Sequence, residues 1–236
     1  MSTPLARPLG VIAAAAVVAL AGCAPTVASG PVTSEERDIP AITTVVLQTS
    51  GDLSISEGEP RLVISAASDA LEHLTSEVDG DVLALGVTTG IMLRLGTVRY
   101  ELTVPDLEAI TMDGSGDVVA TVSADGDLRV DVDGSGDIEW TGLAARRIEI
   151  SVAGSGDVTL SGTAQELGIE IGGSGNVHGA DLRAQAVDVV VRGSGDVDVS
   201  PVGSLSVDIL GSGTVTYSGE PTLDTTIAGS GEVVRR

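Results

Sequence analysis

The sequence predicts an all-β fold, a right-handed parallel β-solenoid with short coils of about 18–20 residues. Three observations lead there. A Gly-Ser-Gly-x tetrad starts at Gly114, Gly134, Gly154, Gly173, Gly193, Gly211 and Gly229, at intervals of 20, 20, 19, 20, 18 and 18 residues. Between tetrads, apolar and polar residues alternate with the two-residue period of a strand that buries one face. The hydrophobic content is 42%, yet aromatics are 1% and Phe is absent, so the core must be aliphatic.

In chain order, residues 1–23 read as a leader and not as part of the fold. Arg7 supplies the positive start, and Leu9 to Ala21 is an apolar run shorter than the roughly 20 residues a bilayer requires. The run ends in Leu20-Ala21-Gly22-Cys23, a lipobox pattern in which the Cys23 thiol accepts diacylglycerol. Cys23 is the one cysteine of the chain, so no disulfide framework competes for it. Two acyl chains hold a protein stably on a membrane surface without a span. The expected location is therefore the extracytoplasmic side of the cell membrane, after export. Residues 24–37, rich in Pro, Ser, Thr and Gly without apolar period, read as a flexible tether of at most ~45 Å.

Residues 38–236 form the folded domain, less regular over 38–112 and repetitive over 113–236. In the front part, Thr43 to Leu47, Leu53 to Ser56, Leu62 to Ala66, Val82 to Val87 and Val98 to Val104 read as strands. Ser50-Gly51-Asp52 looks like a degenerate tetrad, and Asp69 to Leu74 suggests one helical turn. This part is expected to continue the solenoid or cap its first coil, because an open coil presents unpaired strand edges. At the far end, the charges of Arg235 and Arg236 are expected to blunt the edge.

In the repeats, each tetrad is followed by a β-branched residue: Val118, Ile138, Val158, Val177, Val197, Val215 and Val233. Stepping back from a tetrad by twos gives sets such as Val132, Val130, Leu128 and Ile209, Val207, Leu205; only Thr225, in the last set, breaks the apolar rule. Each unit thus reads as two short strands, joined by the tetrad and by a second turn at Thr141-Gly142, Ser161-Gly162 and Ser218-Gly219. Stacked units pair in parallel at ~4.8 Å. A sandwich or prism of hairpins, with the tetrad as hairpin turn, is the competing architecture. The tetrad glycines are expected to supply positive φ and to let stacked backbones approach closely.

The fourth tetrad position is Asp117, Asp137, Asp157, Asn176, Asp196, Thr214 and Glu232. Stacking makes these a column, and Asp117, Asp137, Asp157, Asp196 and Glu232 are the candidate ligands if calcium occupies it. Asn176 and Thr214 in the same column favour ordinary turn chemistry over a metal ladder, and no other cofactor is implied. The formal charge of −22, with all 12 basic residues Arg, disfavours nucleic acid and anionic lipid as partners.

The run from Pro105-Asp106-Leu107 to Asp113-Gly114-Ser115-Gly116-Asp117 with its serial Gly-Ser-Gly-Asp-Val units resembles the head GIN domain family. Thr44-Val45-Val46 to Ser50-Gly51-Asp52-Leu53-Ser54-Ile55 fits the family's opening, so the resemblance covers nearly all of the chain after Cys23. It implies a β-helical domain of the bacterial envelope with an adhesin-like role, and it brings no catalytic residues.

The chain carries two histidines, His73 and His178, in unrelated contexts, and no free thiol once Cys23 is lipidated, so a Ser-His or Cys-His nucleophile lacks a base. The reading that follows is a non-enzymatic binding or interaction domain whose partner is an envelope or surface protein, with self-association by strand addition as a further expectation. A calcium-binding structural repeat and a polysaccharide-active enzyme are the alternatives.

Overall fold

The computed structural model describes residues 26–88 and 93–236; the leader and Cys23 lie outside the described residues. Among the described residues, 62% are in strands and 2% in helix. The strands are β1 (Thr26–Val27), β2 (Val32–Arg37), β3 (Thr44–Leu47), β4 (Asp52–Glu57), β5 (Arg61–Ala67), β6 (Leu74–Asp79), β7 (Val82–Val87), β8 (Leu93–Arg94) and β9 (Arg99–Val104). They continue with β10 (Ala109–Met112), β11 (Val118–Ala120), β12 (Asp127–Val132), β13 (Ile138–Val152), β14 (Val158–Ile171), β15 (Val177–Val191), β16 (Val197–Ile209), β17 (Thr214–Tyr217), β18 (Thr222–Ile227) and β19 (Glu232–Arg235). One helical turn, α1 (Ser68–Leu71), joins β5 to β6.

The strands stack as a parallel solenoid of about 6 turns. Those that precede a tetrad form one face: β10 pairs in parallel with β12, β12 with the last third of β13, and so on through β14, β15 and β16 to β18. Those that follow a tetrad form a second face, from β11 through the first residues of β13, β14, β15 and β16 to β17 and β19. Register is kept because each inward position is apolar in every coil: Val130, Ile150, Ile169, Val189 and Val207 follow one another down the first face. A one-residue slip would turn the whole apolar set to water.

The coil differs from the two-strand unit read from the alternation. β13, β14 and β15 run on through the second turn without a break and add a third, shorter run, with Leu143, Ala145, Leu182 and Ala184 buried along it. Gly142 and Gly162 make that bend at positive φ, +80° and +130°, which resets the alternation and hides the third run in the sequence. Three runs enclose an interior filled by side chains, with Trp140 fully buried and its indole N–H donating to the Val122 carbonyl at 3.0 Å.

The front part is a coil and a cap whose order along the axis is not chain order. β3 and β4 form the coil that docks on β10 and β11, and β7 and β9 form the next coil outward. Between them the chain builds the cap: β5 runs antiparallel on β9, β2 antiparallel on β5, and β6 antiparallel on β7. Ala70 and Leu71 of α1 are buried under it. The strand β2 takes up residues 32–37, which composition placed in the tether. Its six residues are mostly exposed, so no apolar alternation marked it as a strand. Edge pairing to β5 orders it, and Arg37 locks it by donating to the Leu74 carbonyl at 3.0 Å and the Ser76 hydroxyl at 3.1 Å on β6.

Candidate functional site

The tetrads stack into a regular ridge along the described coils. In six successive repeats, from Gly134 to Gly229, the first tetrad glycine lies against the carbonyl oxygen of its counterpart one coil back, so closely that a Cβ would overlap it. The second glycines, from Gly136 to Gly231, repeat the contact with Gly116 and its successors. None of the tetrad glycines has positive φ. Of the two reasons expected for them, close approach is the one that operates, and positive φ belongs to the second-turn glycines instead. The backbone bonds explain the approach: Ser135 N–H donates to the Gly114 carbonyl at 3.0 Å, Ser155 to Gly134 at 3.0 Å and Ser194 to Gly173 at 2.9 Å.

The acidic column stands beside this ridge. The Asp117 carboxylate accepts the Asp137 backbone N–H at 3.0 Å, Asp137 accepts Asp157 at 2.8 Å, and Asp157 accepts Asn176 at 2.8 Å. The Asn176 side-chain oxygen then accepts Asp196 N–H at 2.8 Å, and Asp196 accepts Thr214 at 2.7 Å. Each side chain thus spends one oxygen on the N–H of the coil that follows. Asn can do this as well as Asp, which is why Asn176 sits in the column without interrupting it. Glu232 is in register with Thr214 on the last coil, beyond the final bond of this ladder. Asp52 heads the column, as the degenerate tetrad suggested, with the Asp117 N–H at 3.5 Å. Among the described residues, no group of three or more His, Cys, Asp or Glu side chains is arranged to hold a metal ion.

The outer side of the first face carries a second feature, an open depression of about 570 Å³ lined by Gly168 and its neighbours in the flanking coils. Its lining is charged: Arg147 pairs with Glu149 at 2.6 Å and Glu166 at 2.7 Å, and Arg129 with Asp131 at 2.6 Å. These exposed pairs answer one another and contribute little stability each. His178 lies on the solvent face of β15, as expected, 3.8 Å from Asp157, and His73 lies in the cap, so the structure does not bring the two histidines together.

Sequence reasoning missed two residues of the cap. Arg37 bridges β2 and β6, and Asp69 accepts the Ser29 N–H at 2.6 and 2.8 Å through its two oxygens. The Ser29 N–H holds the Asp69 carboxyl below the usual range of an Asp. Both act over more than 30 residues of sequence, and no local pattern announces them.

A family model described as "Putative auto-transporter adhesin, head GIN domain" matches residues 41–221. Among solved structures, the chain is similar to one described as a putative adhesin from Bacteroides fragilis NCTC 9343. Identity is 24%, 89% of this chain and 99% of that one are covered, and the TM-score is 0.85. It is also similar to a protein from Parabacteroides distasonis ATCC 8503 described as a putative lipid binding protein, at 21% identity, 89% and 98% coverage and TM-score 0.72. A putative adhesin from Parabacteroides merdae ATCC 43184 shares 18% identity, with 89% and 98% coverage and TM-score 0.70. No curated protein matches the chain. At these identities the likeness is one of fold.

Proposed function

Because the chain belongs to the family described as putative auto-transporter adhesin, head GIN domain, we propose that it is a non-enzymatic, adhesin-like binding protein, anchored by lipid at Cys23 on the outer side of the cell membrane. The observation that carries this reading is the rod itself. Its interior is filled by aliphatic side chains with Trp140 and Tyr100, so binding falls to the outer faces. Those faces are polar, regular and acidic overall, with a formal charge of −22 on the chain. They suit a partner protein with a basic surface and repel anionic lipid headgroups.

The anchor and the binding role are tested apart. Full chain expressed in a bacterial host is expected in the membrane fraction and labelled by a fatty acid. Cys23→Ser is expected to lose the label and the membrane association. A chain that fractionates with the membrane equally well with Ser at position 23 removes the lipoprotein reading. For binding, the chain displayed on cells is expected to retain basic surface proteins at low salt and release them near 1 M salt, where the screening length falls to roughly 3 Å. Retention indifferent to salt would remove the electrostatic reading of the faces.

A further inference from the structure

The two ends of the rod are not alike. At the end near the N-terminal segment, β2, β5 and β6 close the first coil with antiparallel strands, and Arg37 ties β2 to β6. At the other end, β16 is the one strand that pairs with β18 among the described residues, and all six residues of β18 are exposed. Leu223 and Ile227, which continue the inward columns of Leu205 and Ile209, are 43% and 47% exposed. The neighbouring β19 carries charge at its end: Arg235 pairs with Glu220 at 2.9 Å and Arg236 with Asp198 at 2.5 Å. β18 has no such protection beyond the single outward carboxylate of Asp224.

We propose that β18 pairs with β18 of a second copy, antiparallel and tail to tail about a two-fold axis at Thr225. Backbone direction decides the register. The Ala228 N–H donates inward to the Ile209 carbonyl at 2.9 Å. Since direction alternates along a strand, Leu223, Thr225 and Ile227 turn their N–H and C=O groups to the open side. An antiparallel partner centred on Thr225 meets all three as hydrogen-bonded pairs. The same register sets Leu223 against Ile227 of the second copy, twice, and Thr225 against itself, all on the inward side. The one polar residue in the inward pattern thus falls where the two-fold axis passes. A two-fold contact uses the same edge on both copies, so the pairing closes at two copies.

Because residues 26–37 enter at the capped end, a tail-to-tail dimer places its two N-terminal segments at opposite ends of the joined rod. On an anchored chain that geometry links two facing surfaces, a consequence that rests on the anchored reading above; the dimer itself does not.

The test uses full chain carrying Cys23→Ser, whose mass is followed by sedimentation over a wide concentration range. A monomer–dimer equilibrium is expected. Thr225→Pro, which deletes an N–H outside the rod's own ladder, is expected to weaken it about tenfold or more. Thr225→Cys is expected to trap the dimer as a disulfide, since hydrogen-bonded antiparallel pairs bring Cα atoms to about 5.5 Å. Val32→Cys, at the capped end, is expected not to. A monomer at every concentration, a dimer indifferent to Thr225→Pro, or trapping at Val32 in place of Thr225 would overturn the pairing. Phosphatidylcholine vesicles bearing the lipidated chain are then expected to cluster, and to disperse with Thr225→Pro. A dimer in solution without clustering overturns the bridging of surfaces and leaves the pairing intact.

Discussion

A single methyl group separates the two kinds of glycine in this rod. Gly154 faces the Gly134 carbonyl with no room for a Cβ, whereas a Cβ on Gly168 would find its nearest neighbour, the Ile148 carbonyl oxygen, at 3.9 Å. Gly154→Ala is therefore expected to cost about 2–3 kcal/mol by forcing the coils apart. Gly168→Ala should be neutral or stabilising by about half a kcal/mol. Urea midpoints of the two variants check both. The column beside the ridge gives a second contrast. Asp157→Asn keeps an acceptor for the Asn176 N–H and should hold stability, as Asn176 itself does one coil on. Asp157→Ala leaves that N–H to find water and should cost about 1 kcal/mol. If calcium occupied the column, ligand at 100 times its Kd would add ~2.7 kcal/mol, so a melting temperature unmoved by calcium or chelator is expected from the turn chemistry.

At the scale of elements, the cap is where pH acts. Asp69 holds Ser29 only while ionised, and its carboxyl lies below the ordinary range chiefly because of that N–H. The contribution is complete above the unfolded pKa and disappears as pH falls through the lower folded value. Amide exchange at Ser29 is thus expected to accelerate in acid before the coils open. Tyr100 on β9 responds at the other extreme. Burial pushes its phenol above the ordinary value of 10.0. An unfolded chain ionises first as pH rises past that value, so stability is lost in alkali, and a Tyr100→Phe variant should lose less. Arg37 ties the outermost strands by two hydrogen bonds to β6, and Arg37→Ala is expected to cost about 1–3 kcal/mol.

For the whole molecule, stability follows the stack. Each coil is held by the two beside it, so the inner coils have more to lose than the ends. Hydrogen exchange is expected to be slowest in the last thirds of β13, β14 and β15, where the ladder is unbroken, and fastest in β18 and β19, whose residues are mostly exposed. Protection of β18 that rises with protein concentration would report the tail-to-tail pairing directly. Trp140, the one tryptophan and fully buried, reports global unfolding by fluorescence.

Much of this was legible in the residues. The spacing of the tetrads states the coil length, the alternation from Val118 to Ile227 states which face is buried, and Asp117 to Asp196 announces a column. These are local or strictly periodic signals, and a repeat multiplies each of them. What only the tertiary structure decided is non-local. The sequence does not say that β3 and β4 lie between the coil of β7 and β9 and the coil of β10 and β11, because stacking order is not written in chain order. Nor does it say that Val32–Arg37 is a strand, since its order comes from β5 and from Arg37 reaching β6. Composition could name the glycines and the acids; only coil-to-coil contact shows that the first make room for a carbonyl and the second hold an N–H.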